Sequence, residues 1–298
     1  MKIAEATRLL FQSLKNIYDE SEASQITDLV MEHLAKMTKQ ERLIHKENEL
    51  TDNQNSKFKI LHSELLQHKP VQYILHEAWF CGLKFYVDAH VLIPRPETEE
   101  LVEEIINNLR ITNYELRSHL FSVVTRNSYL VNILDIGSGS GCIPIALKKK
   151  IPEAMISSID VCSEALNVAV NNAHTHETEI DFRLLDFLDE NKWPELDEYD
   201  IIVSNPPYIS NAERSAMKKN VLDHEPHLAL FVNDDPLIFY KKIAAFGKKH
   251  LKKGGSIYAE INENLGKETL TVFKEAGYST IELKKDMQGK DRIIRANS

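Results

Sequence analysis

The chain predicts an α/β fold: a seven-stranded, mostly parallel sheet in the C-terminal part, preceded by a bundle of helices. Three observations carry this. From Ile133 onward, short apolar runs alternate with stretches of helical periodicity, the pattern of a parallel sheet covered on both faces. Residues 1 to about 75 carry helical periodicity and no strand signal. The last two apolar runs have no helix between them, so they close the sheet as an antiparallel hairpin.

In order along the chain, Leu9, Leu10, Leu14 and Ile17 recur at helical spacing, then Ile26, Leu29, Val30, His33 and Leu34, then Phe58, Ile60, Leu61, Leu65 and Leu66. Polar breaks at Asp19–Ser24 and Thr51–Ser56 separate these helices. Trp79–Asp88 holds two aromatic-rich runs about Gly82 and reads as a hairpin linking two domains. The expected organisation is a helical bundle at 1–78, a hairpin linker at 79–94 and an α/β domain at 95–298. Ile111–Tyr129 is polar and aperiodic and reads as an insertion or irregular loop. Strands are expected at Asn132–Ile136, Met155–Asp160, Ile180–Leu185, Asp200–Ser204, Ser256–Ile261, Tyr278–Leu283 and Arg292–Arg295. Helices are expected at about 143–150, 163–174, 236–252 and 264–276, and a turn at Asp286–Lys290 with Gly289 joins the last two strands.

Composition narrows the function classes. With 43% hydrophobic and 27% charged residues the chain is an ordinary globular protein, so disorder is not expected. No apolar run approaches the roughly 20 residues that span a membrane, and Met1–Tyr18 is amphipathic rather than signal-like, which points to the cytoplasm and to no membrane partner. Cys81, Cys142 and Cys162 lack paired spacing, which argues against a disulfide framework and against a metal site. A net charge of −9 provides no basic field for gripping a phosphate backbone. The lysines at 148–150 and 248–253 read as helix ends that complement the dipole.

Two constellations carry chemistry. Asn205-Pro206-Pro207-Tyr208 ends an apolar strand, where open α/β sheets bind ligands. Consecutive prolines remove two donors and leave carbonyls free to accept. Asn205 adds an amide oxygen and Tyr208 an aromatic face, a set suited to a planar NH2 group. A strand terminator with a packed tyrosine is the alternative for such a turn standing alone. The second constellation is Gly137-Ser138-Gly139-Ser140-Gly141, which follows a strand and opens a helix, so the backbone can approach a ligand closely. Its spacing, with Asp135 just before it, suits a nucleoside without phosphate. Asp160 ends the next strand and can accept from ribose hydroxyls, or cap the helix that starts at Ser163. Asp186-Phe187 ends the third strand, where an acid beside an aromatic can bind an adenine, or serve as cap and core residue.

Together these residues resemble the class I S-adenosylmethionine-dependent methyltransferases, whose fold is Rossmann-like. The chain is more closely similar to the PrmC/HemK family, the glutamine N5-methyltransferases of peptide-chain release factors. The likeness rests on Pro70–Ile74, Leu92–Leu101 (Leu-Ile-Pro-Arg-Pro-Glu-Thr-Glu-Glu-Leu), the glycine loop, Asn205–Tyr208, His224-Glu225-Pro226 and Gly289–Arg292. It implies S-adenosylmethionine as methyl donor, contacted from Gly137 to Gly141, by Asp160, by Phe187 and by Asn205, with Asp186 beside Phe187 as the adenine acceptor read from the residues themselves. It implies that Asn205, Pro206, Pro207 and Tyr208 hold a glutamine side chain of a release factor. A monomer is expected, with no direct nucleic-acid partner. Three alternatives stay open at this level: a ribosomal-protein glutamine methyltransferase, a DNA or RNA methyltransferase acting on an adenine or cytosine NH2, and a non-catalytic protein that keeps the fold.

Overall fold

The computed structural model describes residues 1–119, 130–210, 213–214, 217–232 and 235–298, with 110–119 as backbone. They fall into two compact units, Met1–Glu77 with Met217–Glu225, and Ala78–Ala216 with Pro226–Ser298.

The first unit is helical: α1 (Ile3–Leu14), α2 (Glu20–Ala35), α3 (Lys39–Ile44), α4 (Asp52–Leu66) and α5 (Val71–Leu75). Its core takes part of the apolar pattern read in the sequence: Leu10, Leu14, Val30 and Leu65 are fully buried, whereas Leu9, Leu29, Ile60 and Leu66 are exposed. The two polar breaks are helix starts rather than loops. Asp19 caps α2 by accepting from the Glu22 amide, and Thr51 forms a capping box with Gln54 at α4. A second box, Thr38 with Glu41, starts α3, a helix the periodicity does not reveal.

The second unit opens with the hairpin of β1 (Ala78–Phe80) and β2 (Leu83–Phe85), paired antiparallel. Next comes α6 (Pro96–His119), with proline at its first position and Glu97 and Glu99 in its first turn, the placement a helix N-terminus favours. Leu101, Val102, Ile105 and Ile106 form its buried face. Thus residues 111–119, read as irregular from sequence, continue this helix, and the rest of that segment lies outside the described residues. The α/β core follows: β3 (Asn132–Ile136), α7 (Cys142–Lys150), β4 (Met155–Asp160), α8 (Ser163–Thr175), β5 (Asp181–Leu184) and β6 (Tyr199–Ser204). The short pieces β7 (Ile209–Ser210), α9 (Lys219–Leu222), α10 (His227–Leu230) and β8 (Phe231–Val232) lead to α11 (Ile238–His250), β9 (Leu251–Glu260), α12 (Gly266–Glu275), β10 (Thr280–Lys285) and β11 (Asp291–Asn297).

The main sheet has seven strands in the order β10-β11-β9-β6-β3-β4-β5. Five are parallel, and β11 and β10 are added antiparallel, joined by a turn with Gly289 at φ 80°. The largest strand-boundary departure from the sequence reading is at β9. α11 stops at His250, and β9 begins at Leu251 rather than at Ser256. The lysines there hide the transition. Lys252 pairs with Asp200 on the neighbouring strand instead of prolonging the helix, and a Cβ on Gly255 would stand 2.8 Å from the Asp200 carbonyl.

Topology positions the site. The chain runs outward through β3, β4 and β5, then returns to the other side of β3 with β6, which makes β3/β6 the switch point where such sheets bind ligands. Register sharpens this. Ile159, Ile136, Ser204 and Ala259 pair across β4, β3, β6 and β9. The next residue on each strand is therefore Asp160, Gly137, Asn205 or Glu260, a row along one edge of the sheet.

Candidate active site

A cavity of about 300 Å3 opens along this row in the second unit. Gly137, Ser138, Gly139, Ser140, Asp160, Asp186, Phe187, Asn205, Pro206 and Pro207 line it, each a residue expected from sequence. Gly141 and Tyr208 are not in its wall. Gly141 sits at φ 79°, and a Cβ there would meet Ile145 Cδ1 at 3.1 Å and Ala169 of α8 at 3.2 Å, so this glycine lets α7 pack closely against α8. The Tyr208 ring packs against the apolar core, with its hydroxyl donating to Glu260 Oε1 at 3.1 Å.

Asp160 is not the cap of α8. Its Oδ2 accepts from the Gly139 amide and its Oδ1 from the Cys162 amide, both at 2.9 Å. The carboxylate thereby ties the glycine loop to the end of β4. Each oxygen keeps a second lone pair for a hydroxyl. Asp186 behaves alike, taking the Leu188 amide at 3.0 Å. Phe187 reaches the cavity wall, while its ring stacks on Trp193 and meets Phe246 edge-on, so the residue is also part of the core. His224 and Glu225 belong to the helical unit, where His224 Nε2 lies 2.9 Å from the Gln67 carbonyl, and they do not line the cavity. Beneath the loop, Asp135 is fully buried, accepts from Ser158 at 2.6 Å, and has its pKa pushed up to about 8 by burial.

Two residues that the sequence did not single out complete the site. Thr98, on the first turn of α6, donates to Glu260 Oε2 at 2.6 Å and accepts from Asn205 Nδ2 at 3.0 Å. Glu260 is buried, and burial raises its pKa against the pull of the Thr98 hydroxyl. Thr98 stands inside the stretch Leu92–Leu101 already noted, whereas no local pattern marks Glu260 at the end of its strand. Arg95, from the same stretch, lines the cavity.

Comparison with known proteins places this geometry. Residues 5–75 match the PrmC N-terminal domain, and residues 118–228 match the Methyltransferase small domain. The chain is 41% identical over 291 residues to a release factor glutamine methyltransferase of Flavobacterium psychrophilum, covering 96% of this chain and 95% of that protein. A protein of the same name from Bacteroides thetaiotaomicron is 37% identical, with 98% of each covered. Another from Streptococcus pneumoniae is 35% identical, covering 98% of this chain and 90% of that one. The chain belongs to the release factor glutamine methyltransferase family.

As a methyltransferase of this family it uses S-adenosylmethionine, and the cavity fits that donor. Gly137 and Gly139 both line it with φ of 90° and 50°, and a Cβ on either would meet nothing within 4 Å, so the loop leaves open space beside it. Asp160 offers lone pairs for ribose hydroxyls, and Asp186 an acceptor for an amino group. No helix among the described residues is long and apolar enough to cross a membrane.

Proposed function

We propose that this protein transfers the methyl group of S-adenosylmethionine to the side-chain amide nitrogen of a glutamine in peptide-chain release factors. One observation carries the reading: Asn205 and its two prolines stand in the wall of the same cavity as the glycine loop and Asp160. When bound, the donor supplies an electrophilic methyl on its sulfonium. The protein's task is positioning. An amide nitrogen is a poor nucleophile because its lone pair is delocalised into the carbonyl. Asn205 Oδ1 and the Pro206 carbonyl accept the two amide hydrogens, which holds the nitrogen in line and draws electron density onto it. Pro206 and Pro207 keep that carbonyl out of any ladder. Tyr208 braces the turn from behind through Glu260. Gly137–Ser140 and Asp160 hold the donor, with Asp186 and Phe187 at its adenine end. The helical unit recognises the protein substrate, consistent with a net charge of −9 that does not favour a nucleic acid.

The test is to incubate the protein with a release factor and labelled donor, then locate the methyl by peptide mass spectrometry. It is expected on the glutamine of the Gly-Gly-Gln tripeptide, and a methyl elsewhere, or on nucleic acid alone, overturns the proposal. Asn205→Ala should lower kcat by on the order of 100-fold or more while donor affinity, read by calorimetry, changes little. Near-normal turnover in that variant would remove Asn205 from the role.

A further inference from the structure

A side-chain amide is nearly symmetric in shape, and its two ends have opposite hydrogen-bonding character. If Asn205 presents NH2 to the cavity instead of its oxygen, an incoming NH2 group meets a donor where it needs an acceptor, and it is not held in line for reaction. Something must choose the orientation.

Counting hydrogens identifies the choice. Glu260 lies behind the site, with 2% of its surface exposed, and each of its carboxylate oxygens faces a hydroxyl: Thr98 at 2.6 Å and Tyr208 at 3.1 Å. An ionised carboxylate only accepts, so both hydroxyl hydrogens point at it. Thr98 has a single hydrogen. With that committed to Glu260, its oxygen can only accept. The Asn205 atom 3.0 Å away must then be the donor Nδ2, and Oδ1 is left for the cavity that Asn205 lines. We infer that Glu260, acting through the Thr98 hydroxyl, is a positioning residue that fixes the acceptor end of the Asn205 amide toward the substrate.

The relay joins three elements that share one edge of the sheet: the first turn of α6, the end of β6 and the end of β9. Reversal has a definite meaning in this arrangement. A protonated Glu260 can donate to Thr98, which frees the Thr98 hydrogen to seek Asn205 Oδ1 and turns the amide over. Burial pushes Glu260 toward the protonated form, and the Thr98 and Tyr208 hydroxyls together with the nearby charge of Arg292 oppose it in favour of the ionised form and the productive orientation. Substrate binding is not the relay's business; the orientation acts on how well the bound amide is aligned.

This inference rests on the glutamine-methylation reading, and the experiment separates the two. Thr98→Val keeps the shape and removes the hydroxyl; Thr98→Ala removes it without adding a methyl group in its place. Each is assayed for kcat and KM with release factor, for donor affinity by calorimetry and for melting temperature. Both variants are expected to lose on the order of 10- to 100-fold in kcat, the scale of a misaligned reacting group, with donor affinity and KM little changed. Thr98→Ser is expected to restore most of the loss, which a purely structural role for the missing methyl would not. In an Asn205→Ala background Thr98→Val should have no further effect, because there is no amide left to orient. An unchanged kcat in Thr98→Val, or a loss that simply adds to that of Asn205→Ala, overturns the relay while leaving glutamine methylation standing. A wild-type protein that methylates no release factor overturns the underlying function instead.

Discussion

At the scale of single residues, the site divides into groups the sequence displays and groups it conceals. Asn205 and Asp160 announce themselves because a strand, a turn and a chemically apt side chain are contiguous. Glu260 and Thr98 are 162 positions apart and meet only after the sheet is assembled, so no local pattern could have joined them. Gly141 has a second cause that its spacing does not show, since a Cβ there would meet a neighbouring helix. Asp135, two residues before the first glycine, is buried under that loop with Oδ1 unpaired among the described residues and a pKa near 8. Its folded pKa lies above the unfolded one. The folded chain therefore holds a proton that the unfolded chain releases, and stability falls as pH rises from about 4 to about 8. The slope contributed is at most about 1.4 kcal/mol per pH unit. Asp135→Asn removes this dependence while its amide oxygen can still accept from Ser158. Urea denaturation at pH 5 and pH 8 should show wild type losing more stability than the variant across that interval. Equal losses would show that Asp135 does not titrate there.

At the scale of elements, composition misleads where polarity has two causes. Asp19 and Thr51 begin stretches that look like loops, yet each is the cap of a helix whose first turn is polar because exposed backbone donors need acceptors. The glutamates of α6 belong to the same logic. Its apolar stripe at Leu101, Val102, Ile105 and Ile106 is real but short beside a polar continuation. Conversely, the lysines around Leu251 look helical and are divided between a helix end and a strand, because pairing with Asp200 on β6 decides the matter. The strands were legible to within a few residues, since buried parallel strands must be continuously apolar. The turn between β3 and α7 gives a prediction that belongs to this scale. Gly137→Ala and Gly141→Ala both place a side chain at positive φ, which costs about 1 kcal/mol or more. They should differ in what else they lose. The Gly137 methyl enters the donor cavity, so calorimetry should find S-adenosylmethionine affinity sharply reduced. The Gly141 methyl instead presses on Ala169, so its additional loss should be in melting temperature. Identical profiles for the two variants would refute this division of labour within one loop.

At the scale of the whole molecule, the apolar interior is partitioned. The cluster built on Leu10, Leu14, Val30 and Leu65 shares no residue with the two that flank the sheet, and every residue lining the cavity belongs to the sheet-bearing unit. The chain nevertheless crosses between units more than once, since Met217–Glu225 returns to the helices, where Lys218 pairs with Glu22. Sequence could place the helical part first but not foresee this return, because nothing in a nine-residue span of mixed charge says which core it joins. The partition has a thermodynamic consequence. A ligand stabilises only what it binds, by RT ln(1 + [L]/Kd), which is about 2.7 kcal/mol at a hundredfold excess over Kd. S-adenosylmethionine should therefore raise the melting temperature of the sheet-bearing unit. Leu14→Ala, at a fully buried position of the helical core, should cost about 2–5 kcal/mol in that unit. Scanning calorimetry of this variant should show the helical unit melting earlier at a temperature the donor does not move, while titration returns a wild-type affinity for S-adenosylmethionine. Methylation of release factor should weaken through KM as the helical unit loosens. If Leu14→Ala lowered donor affinity as strongly as it lowered stability, the two cores would be energetically one, and recognition of the protein substrate could not be assigned to the helices apart from the chemistry.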